Sequence, residues 1–192
     1  MGETHQPVQA ARRDFIIQFA QAFAGVGSAA ALWPFIAQMT PNAATPPPEV
    51  KEVDLSFIRP GETKTVQWRN SRILIRHRTR EEVRMARSVR ASELPDRLAR
   101  NGALARNAPA EDGNRTKEGH DNWLVVVGVC THMGCLLKSQ EAAATLRTGE
   151  GWVCPCHAAR FDLSGRVVSG PARTNLPVPR YTFVSAMRIR LG

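Results

Sequence analysis

"CTHMGC" at residues 130–135 and "CPCH" at residues 154–157 contain all four cysteines of this 192-residue chain and two of its five histidines. Each motif follows an apolar segment, residues 123–129 and 151–153, which we expect to form a strand that holds the loop after it in place. The two motifs therefore predict one site, built from two loops of a β domain.

The ligand chemistry of the two motifs fits two kinds of metal site. Cys130, His132, Cys154 and His157 supply two thiolates and two imidazoles, which suit either a tetrahedral zinc ion or a [2Fe–2S] centre with cysteines on one iron and histidines on the other. A zinc site would leave Cys135 and Cys156 without a role. In an exported protein this second pair can be oxidised to a disulfide, which would close a loop of about 22 residues and stabilise the fold by about 3 kcal/mol. The spare pair favours the cluster.

The N-terminal segment predicts a membrane anchor. No charged residue occurs between Asp14 and Glu49, and residues 15–39 are mainly apolar, long enough for a helix to cross a bilayer. The alternative is a cleaved secretory signal, for which Ala43 and Ala44 would supply a small-residue site. Arg12 and Arg13, in "RRDF", are typical of a twin-arginine export signal and favour a cytoplasmic N-terminus at residues 1–14.

The rest of the chain predicts a tether and a mainly β domain. Residues 40–50, "TPNAATPPPEV", contain four prolines and read as a flexible hinge. Residues 51–192 alternate in the manner of short antiparallel strands, and "FDLSGRVVSG" predicts two strands around a Ser164–Gly165 turn. Helical patterns are confined to residues 81–89 and to a segment beginning at Ser92, with Ser92 as its N-cap. The prediction is an antiparallel β domain with a helical insertion and one N-terminal transmembrane helix.

The basic charge of the chain has a structural interpretation. The net charge is +9, and eight arginines against two glutamates lie between Arg69 and Arg90. The alternation of "RILIRHR" predicts a half-buried strand with a solvated charged face, followed by a helix. No motif or aromatic platform for bases accompanies the charge, so we predict no nucleic-acid partner.

The cysteine and histidine motifs resemble those of the Rieske iron–sulfur subunit of quinol–cytochrome c oxidoreductase, the cytochrome bc complex, whose loops read Cys-Thr-His-Leu-Gly-Cys and Cys-Pro-Cys-His-Gly-Ser-x-Tyr-Asp. The resemblance covers nearly the whole chain and includes "RRDF", "WPFIAQMTP", "EVDLSFIRPGETKTVQWRN", "IRHRT", "NWLVVVGVCTH" and "NLPVP". It implies a Rieske-type domain at residues 51–192, with the cluster-binding part at about residues 125–175.

The resemblance also implies roles for individual residues. Cys130 and Cys154 would bind the inner iron of one [2Fe–2S] cluster, His132 and His157 would bind the outer iron, and Cys135 would pair with Cys156. His157 would hydrogen-bond a quinol, and the cluster would take an electron together with a proton. The electron would pass to a c-type cytochrome haem after the head had moved on its tether.

The implied partners are cytochrome b, a membrane-bound c-type cytochrome and quinol, in a complex that we expect to be dimeric. The implied location is a bacterial inner membrane, spanned once, with the Rieske domain in the periplasm. His5, His77 and His120 lie outside any motif and are predicted to be ordinary surface or core residues.

The chain departs from the family pattern next to the predicted ligands. Ala159 and Phe161 stand where the family has a serine and a tyrosine whose hydroxyls hydrogen-bond to cluster and cysteine sulfurs. Ala158 replaces a glycine, Met133 a leucine and Arg173 a proline. The loss of the two hydroxyls at Ala159 and Phe161 predicts a lower midpoint potential, which the positive charge of Arg173 would offset only in part. The departures leave open a specialised low-potential Rieske carrier, or the small subunit of an arsenite-oxidase-like enzyme, which often has phenylalanine at the Phe161 position.

Overall fold

The computed structural model describes residues 8–39, 50–140 and 149–192. The chain divides into two compact units, Met1–Pro47 and Pro48–Gly192. The predicted hinge at residues 40–50 falls outside the described residues except for Val50, which is exposed.

The first unit contains one helix, α1 (Val8–Met39). Its segment Arg12–Met39 is 28 residues long, and its length and composition suit a membrane span. The side chains described along it are exposed, which is what a helix in contact with lipid requires. The helix ends at Met39 as predicted but begins before residue 15, so Arg12 and Arg13 lie within it.

The second unit contains three antiparallel sheets. The strands form in the orders β1-β10-β9, β2-β3-β4 and β5-β6-β7-β8, with these bounds: β1 (Lys51–Asp54), β2 (Thr63–Trp68), β3 (Ser71–His77), β4 (Trp123–Val127), β5 (Lys138–Ser139), β6 (Glu150–Val153), β7 (Arg160–Asp162), β8 (Val167–Ser169), β9 (Tyr181–Ser185) and β10 (Arg188–Leu191). Helix α2 (Arg80–Ser88) follows β3 and carries a capping box between Thr79 and Glu82. The predicted fold class, an antiparallel β domain with a helical insertion, is confirmed.

The hydrophobic core lies between the sheets and extends to the predicted site. Its largest fully buried apolar side chains include Trp123, Trp152 and Phe161, and Cys130 and Cys154 belong to the same cluster. Because the two cysteines join this packed core, their positions are fixed by the fold itself.

The predicted helix beginning at Ser92 is wrong. The structure has only a 3₁₀ turn, Ala91–Glu93, in which Ser92 is not the cap. Pro95 explains the difference, because a proline disfavours helical backbone at the residue before it and cannot donate a helical hydrogen bond.

The prediction of a solvated charged face on "RILIRHR" is also wrong for two of its arginines. Arg76 and Arg78 are 1% and 2% exposed. Arg76 pairs with Glu82 of α2 at 2.6 Å, and Arg78 pairs with Asp112 at 2.6 Å. Residues 73–76 of β3 are therefore buried on both faces, and Arg76 on the second face is held in an ion pair, whereas Arg72 is exposed.

Two further buried arginines bind the insertion between β3 and β4, residues 78–122, to the turn after β7. Arg166 pairs with Asp162 at 2.6 Å and donates to the carbonyl oxygens of Ala86, Val89 and Ala110. Arg115 donates to the carbonyl oxygens of Ala99, Ser164, Gly165 and Leu176. Burial lowers the pKa of Arg115 to about 10, so the side chain is still charged at neutral pH. These arginines tie the insertion to the half of the domain that carries the cysteine and histidine loops.

Candidate metal centre

The first loop, residues 130–135, is a tight turn at the end of β4. Cys130 N–H donates to Cys135 O at 2.8 Å, and Gly134 N–H donates to Cys130 O at 2.9 Å. Gly134 has a φ of 77°, a left-handed conformation that glycine adopts without strain. The turn closes on itself and places Cys130 at its buried base.

The second loop, residues 154–159, repeats this arrangement after β6. Cys154 N–H donates to Ala159 O at 2.8 Å, and Ala158 N–H donates to Cys154 O at 3.0 Å. Ala158 has a φ of 54°, so here an alanine occupies the left-handed position. Cys154 lies at the buried base of its turn, as Cys130 does in the first.

A third segment supports both loops. Thr131 Oγ1 donates to Thr174 O at 2.6 Å. A Cβ added to Gly170 would lie 2.6 Å from Ala159 Cα, so only glycine fits beside the second loop. Thr131, Thr174 and Gly170 were not predicted as supporting residues, although the Gly170–Pro171 pair is a turn signal in the sequence.

The four predicted ligands come together in two layers. Cys130 and Cys154 are 2% and 1% exposed, carry free thiols and lie close enough for their side chains to interact. His132 and His157 are exposed, and their ring centroids are 4.9 Å apart. The arrangement presents two sulfur ligands from the interior and two imidazoles from the surface.

The environment of Cys130 keeps its thiol protonated in the metal-free chain. Burial raises the pKa of Cys130, and the neighbouring Cys154 thiol raises it further, although backbone N–H groups of the loop, that of His132 first, act in the opposite direction. A bound metal ion would reverse this balance, because it binds the thiolate and supplies the positive charge that the site lacks.

Cys135 and Cys156 form a disulfide between the two loops, with their Cα atoms 6.7 Å apart. Their sulfur atoms and that of Cys154 lie within 4.8 Å of one another, which is a closely spaced group of metal-ligating atoms. Sulfur atoms joined in a disulfide are not thiolates, so this trio is not the metal site of the oxidised chain. The disulfide leaves Cys130 and Cys154 as the two available thiols.

The two positions predicted to tune a cluster are fully buried beside the second loop. Ala159 and Phe161 are both 0% exposed. Neither side chain has a polar atom. The donor set therefore fits a [2Fe–2S] group with two thiolate and two imidazole ligands, in surroundings that lack the two hydroxyls expected from the resemblance.

Comparison with known proteins agrees with this chemistry. A family model described as Rieske [2Fe-2S] domain matches residues 98–181, and one described as Ubiquitinol-cytochrome C reductase Fe-S subunit TAT signal matches residues 2–42. The chain is 44% identical over 190 residues to the ubiquinol–cytochrome c reductase iron–sulfur subunit of Rickettsia prowazekii, with 99% of this chain and 98% of that protein covered.

The corresponding subunit of Bradyrhizobium diazoefficiens is 45% identical over 182 residues, with 94% of each chain covered. A chain of the solved structure "Hyperthermophilic respiratory Complex III" matches 91% of this chain at 20% identity, covers 98% of its own length and has a TM-score of 0.46.

The 44–45% identity to these subunits over nearly the whole chain and the match to the Rieske [2Fe-2S] domain assign a [2Fe–2S] cluster to this chain. The chain belongs to the family of ubiquinol–cytochrome c reductase iron–sulfur subunits, components of an oxidoreductase complex.

Proposed function

We propose that the [2Fe–2S] cluster is bound by Cys130 and Cys154 on one iron and by His132 and His157 on the other. Burial supports this assignment, because the two thiols lie at the bases of their loops and both imidazoles are exposed at the surface. The disulfide supports it as well, since it occupies the other two cysteines. The donor set is the one that a Rieske cluster requires.

We further propose that the chain carries electrons from quinol to the haem of a c-type cytochrome. When bound, the cluster accepts and releases one electron at a potential that histidine ligation raises above that of all-cysteine clusters. The ring of His157 would hydrogen-bond a quinol hydroxyl and receive its proton, a role supported by its exposure beside the His132 ring. The observation that carries this proposal is the exposure of both imidazoles above two buried thiols.

The proposed setting is a bacterial inner membrane, in a complex with cytochrome b and a membrane-bound c-type cytochrome. Helix α1 would cross the membrane once, with the N-terminus in the cytoplasm and the Rieske domain in the periplasm. The arginines before the apolar segment, the match to a twin-arginine signal and the names of the relatives support this arrangement. The complex is proposed to be dimeric.

Purification of the membrane complex tests the proposal. We expect b- and c-type haems to co-purify with this chain, and quinol to reduce the c-type haem rapidly. Removing the chain should abolish that reduction, and adding it back should restore it. The proposal would be contradicted if the chain purified with neither a b-type nor a c-type haem. It would also be contradicted if quinol still reduced the c-type haem rapidly after the chain had been removed.

A specialised low-potential carrier is a second candidate within the same chemistry. It is favoured by the full burial of Ala159 and Phe161, which cannot donate hydrogen bonds to the cluster. Redox titration distinguishes the two, because a low-potential carrier would be too weak an oxidant for ubiquinol.

A further inference from the structure

The indole nitrogen of Trp152 lacks a hydrogen-bond partner. Among the described residues, Trp152 Nε1 and Tyr181 Oη are the buried side-chain polar atoms for which no protein atom provides a partner. Trp152 is 0% exposed. An unpaired buried donor costs about 1 to 3 kcal/mol, and native proteins generally satisfy such groups with protein, water or a ligand. The acceptor for Trp152 is therefore expected to be a group other than the polypeptide.

The two unpaired atoms occur in different sheets. Tyr181 lies in β9, which pairs with β10. Trp152 lies in β6, two residues before the proposed ligand Cys154, in the sheet that contains the second loop. Of the two unpaired atoms, only the Trp152 nitrogen belongs to a strand that leads into the metal centre.

The register of β6 and β7 places Trp152 on the face that carries the site. Side chains two residues apart on a strand point to the same face, as do those of directly opposed residues in an antiparallel pair. Trp152 lies opposite Phe161, and the backbone of Cys154 bonds to that of Ala159. All four side chains are at most 1% exposed, whereas on the other face Val153 is half-buried and its partner Arg160 is exposed.

We propose that Trp152 Nε1–H donates a hydrogen bond to a sulfur atom of the bound [2Fe–2S] cluster. The inference rests on the proposed ligand set, because Cys154 and the cluster must share this face. A sulfur that becomes more negative on reduction accepts more strongly, so the bond stabilises the reduced form. Trp152 would then be a side-chain donor on the face where Ala159 and Phe161 offer none.

The first test is redox titration of the full chain with Trp152→Phe, which removes the N–H and keeps an aromatic ring. We expect the equilibrium constant for reduction to fall by about three- to tenfold, which is a shift of about 30 to 60 mV for one electron. Trp123→Phe is the matched control, since Trp123 is 2% exposed but lies in β4 of another sheet. The control should lose stability without a change in midpoint potential.

Equal potentials in wild type and Trp152→Phe would overturn the proposal and would point to a buried water as the acceptor. The electron paramagnetic resonance spectrum of the reduced wild type tests the ligand set separately. A spectrum typical of all-cysteine clusters would contradict the proposed ligands, whereas a Rieske spectrum with unchanged potentials would contradict only the role of Trp152.

A second measurement needs no variant. Tryptophan labelled with ¹⁵N in the indole ring can be incorporated into the wild-type chain, and pulsed electron paramagnetic resonance of the reduced cluster can then detect a nearby indole nitrogen. We expect a ¹⁵N coupling that is absent from unlabelled protein. The lack of any such coupling would overturn the proposal even if Trp152→Phe failed to hold its cluster.

Discussion

Ala159 and Phe161 are the residues whose side chains bear most directly on the midpoint potential. Both are fully buried on the face of β6 and β7 that carries Cys154. A hydroxyl introduced there would be shielded from water, so its hydrogen bond would be stronger than one at the surface.

We therefore expect Ala159→Ser and Phe161→Tyr each to raise the midpoint potential, and the double variant to raise it by about 100 mV. Redox titration followed by the reduced-cluster signal measures the shift. The exposed Arg173 offers a control, because its charge is screened by water and Arg173→Gln should change the potential much less. Unchanged potentials in both hydroxyl variants would show that these positions do not tune the cluster.

Ala158, which stands where the family has a glycine, lowers the stability of the folded chain. Its φ of 54° lies in the left-handed region, which is unfavourable for an L-residue by about 1 to 2 kcal/mol and free of strain for glycine. A glycine at this position would avoid that cost. The greater conformational freedom of glycine in the unfolded chain would offset part of the resulting gain in stability. We expect Ala158→Gly to stabilise the folded state by about 0.5 to 1 kcal/mol.

Thermal unfolding of the full chain with its cluster checks this prediction. Ala103→Gly is a suitable control, because Ala103 is exposed and its φ is not positive, so glycine should not stabilise the chain there. A lower unfolding temperature for Ala158→Gly would contradict the argument from strain.

At the scale of elements, the disulfide joins two loops that are otherwise held mainly by their own turns. Cys135 and Cys156 bind no iron in the proposed site, yet they connect the segments that contain all four proposed ligands. We expect Cys135→Ser to lower cluster occupancy, because the cluster alone must then order both loops. Iron content per chain and the visible spectrum measure the loss. Full occupancy with unchanged thermal stability would refute the role.

The buried arginines make the insertion part of the same folding unit as the cluster loops. Arg166→Met would leave Asp162 buried without its cation and would remove the donors to three carbonyl oxygens. We expect a destabilisation of about 3 to 5 kcal/mol.

The matched control is Arg84→Met, since Arg84 and Glu81 form an exposed pair on α2. Such a pair contributes about 0 to 1 kcal/mol, so the control should unfold close to the wild type. Thermal unfolding of the two variants gives the comparison, and similar losses in both would argue against the buried network.

The sequence predicted the elements whose residues carry a local signal. The alternation of "RILIRHR" and the apolar residues 123–129 predicted strands β3 and β4 within two residues of their ends. Strands β1 and β5 were not predicted, because their sequences, KEVD and KS, contain a single apolar residue between them and show no apolar pattern. The burial of Arg76 and Arg78 could not be predicted from the sequence either, because their acidic partners are known only from the tertiary fold.

In the candidate site, too, the residues with a local sequence signal were predicted and the contacts between distant residues were not. The spacing of Cys130, His132, Cys154 and His157 is local and pointed to one centre. The contacts that hold that centre, such as Thr131 to Thr174, join residues 43 apart in sequence and carry no local signature. The unpaired nitrogen of Trp152 depends on the same kind of distant packing.

At the scale of the whole molecule, the membrane helix and the Rieske domain are separate units joined through residues 40–49. Four of those ten residues are prolines, and residues 42–45 are the proline-free part of the predicted hinge. We expect replacement of residues 42–45 by prolines to leave the cluster spectrum intact and to slow electron delivery to the c-type cytochrome.

Turnover of the purified complex, measured beside the potential of the cluster, checks this prediction. A control with Asn42→Ala and Thr45→Ala keeps the segment free of added prolines and should turn over normally. Unaltered turnover in the proline variant would count against movement of the head.

The sulfur trio of Cys135, Cys154 and Cys156 gives the disulfide a consequence for metal selectivity. In a reduced chain, three thiolates within 4.8 Å would form a soft site of the type that zinc occupies tightly. Oxidation removes two of those ligands and leaves Cys154 for iron. The bond between the loops therefore also removes this competing three-sulfur site, so binding of a wrong metal there should depend on the redox state of the surroundings.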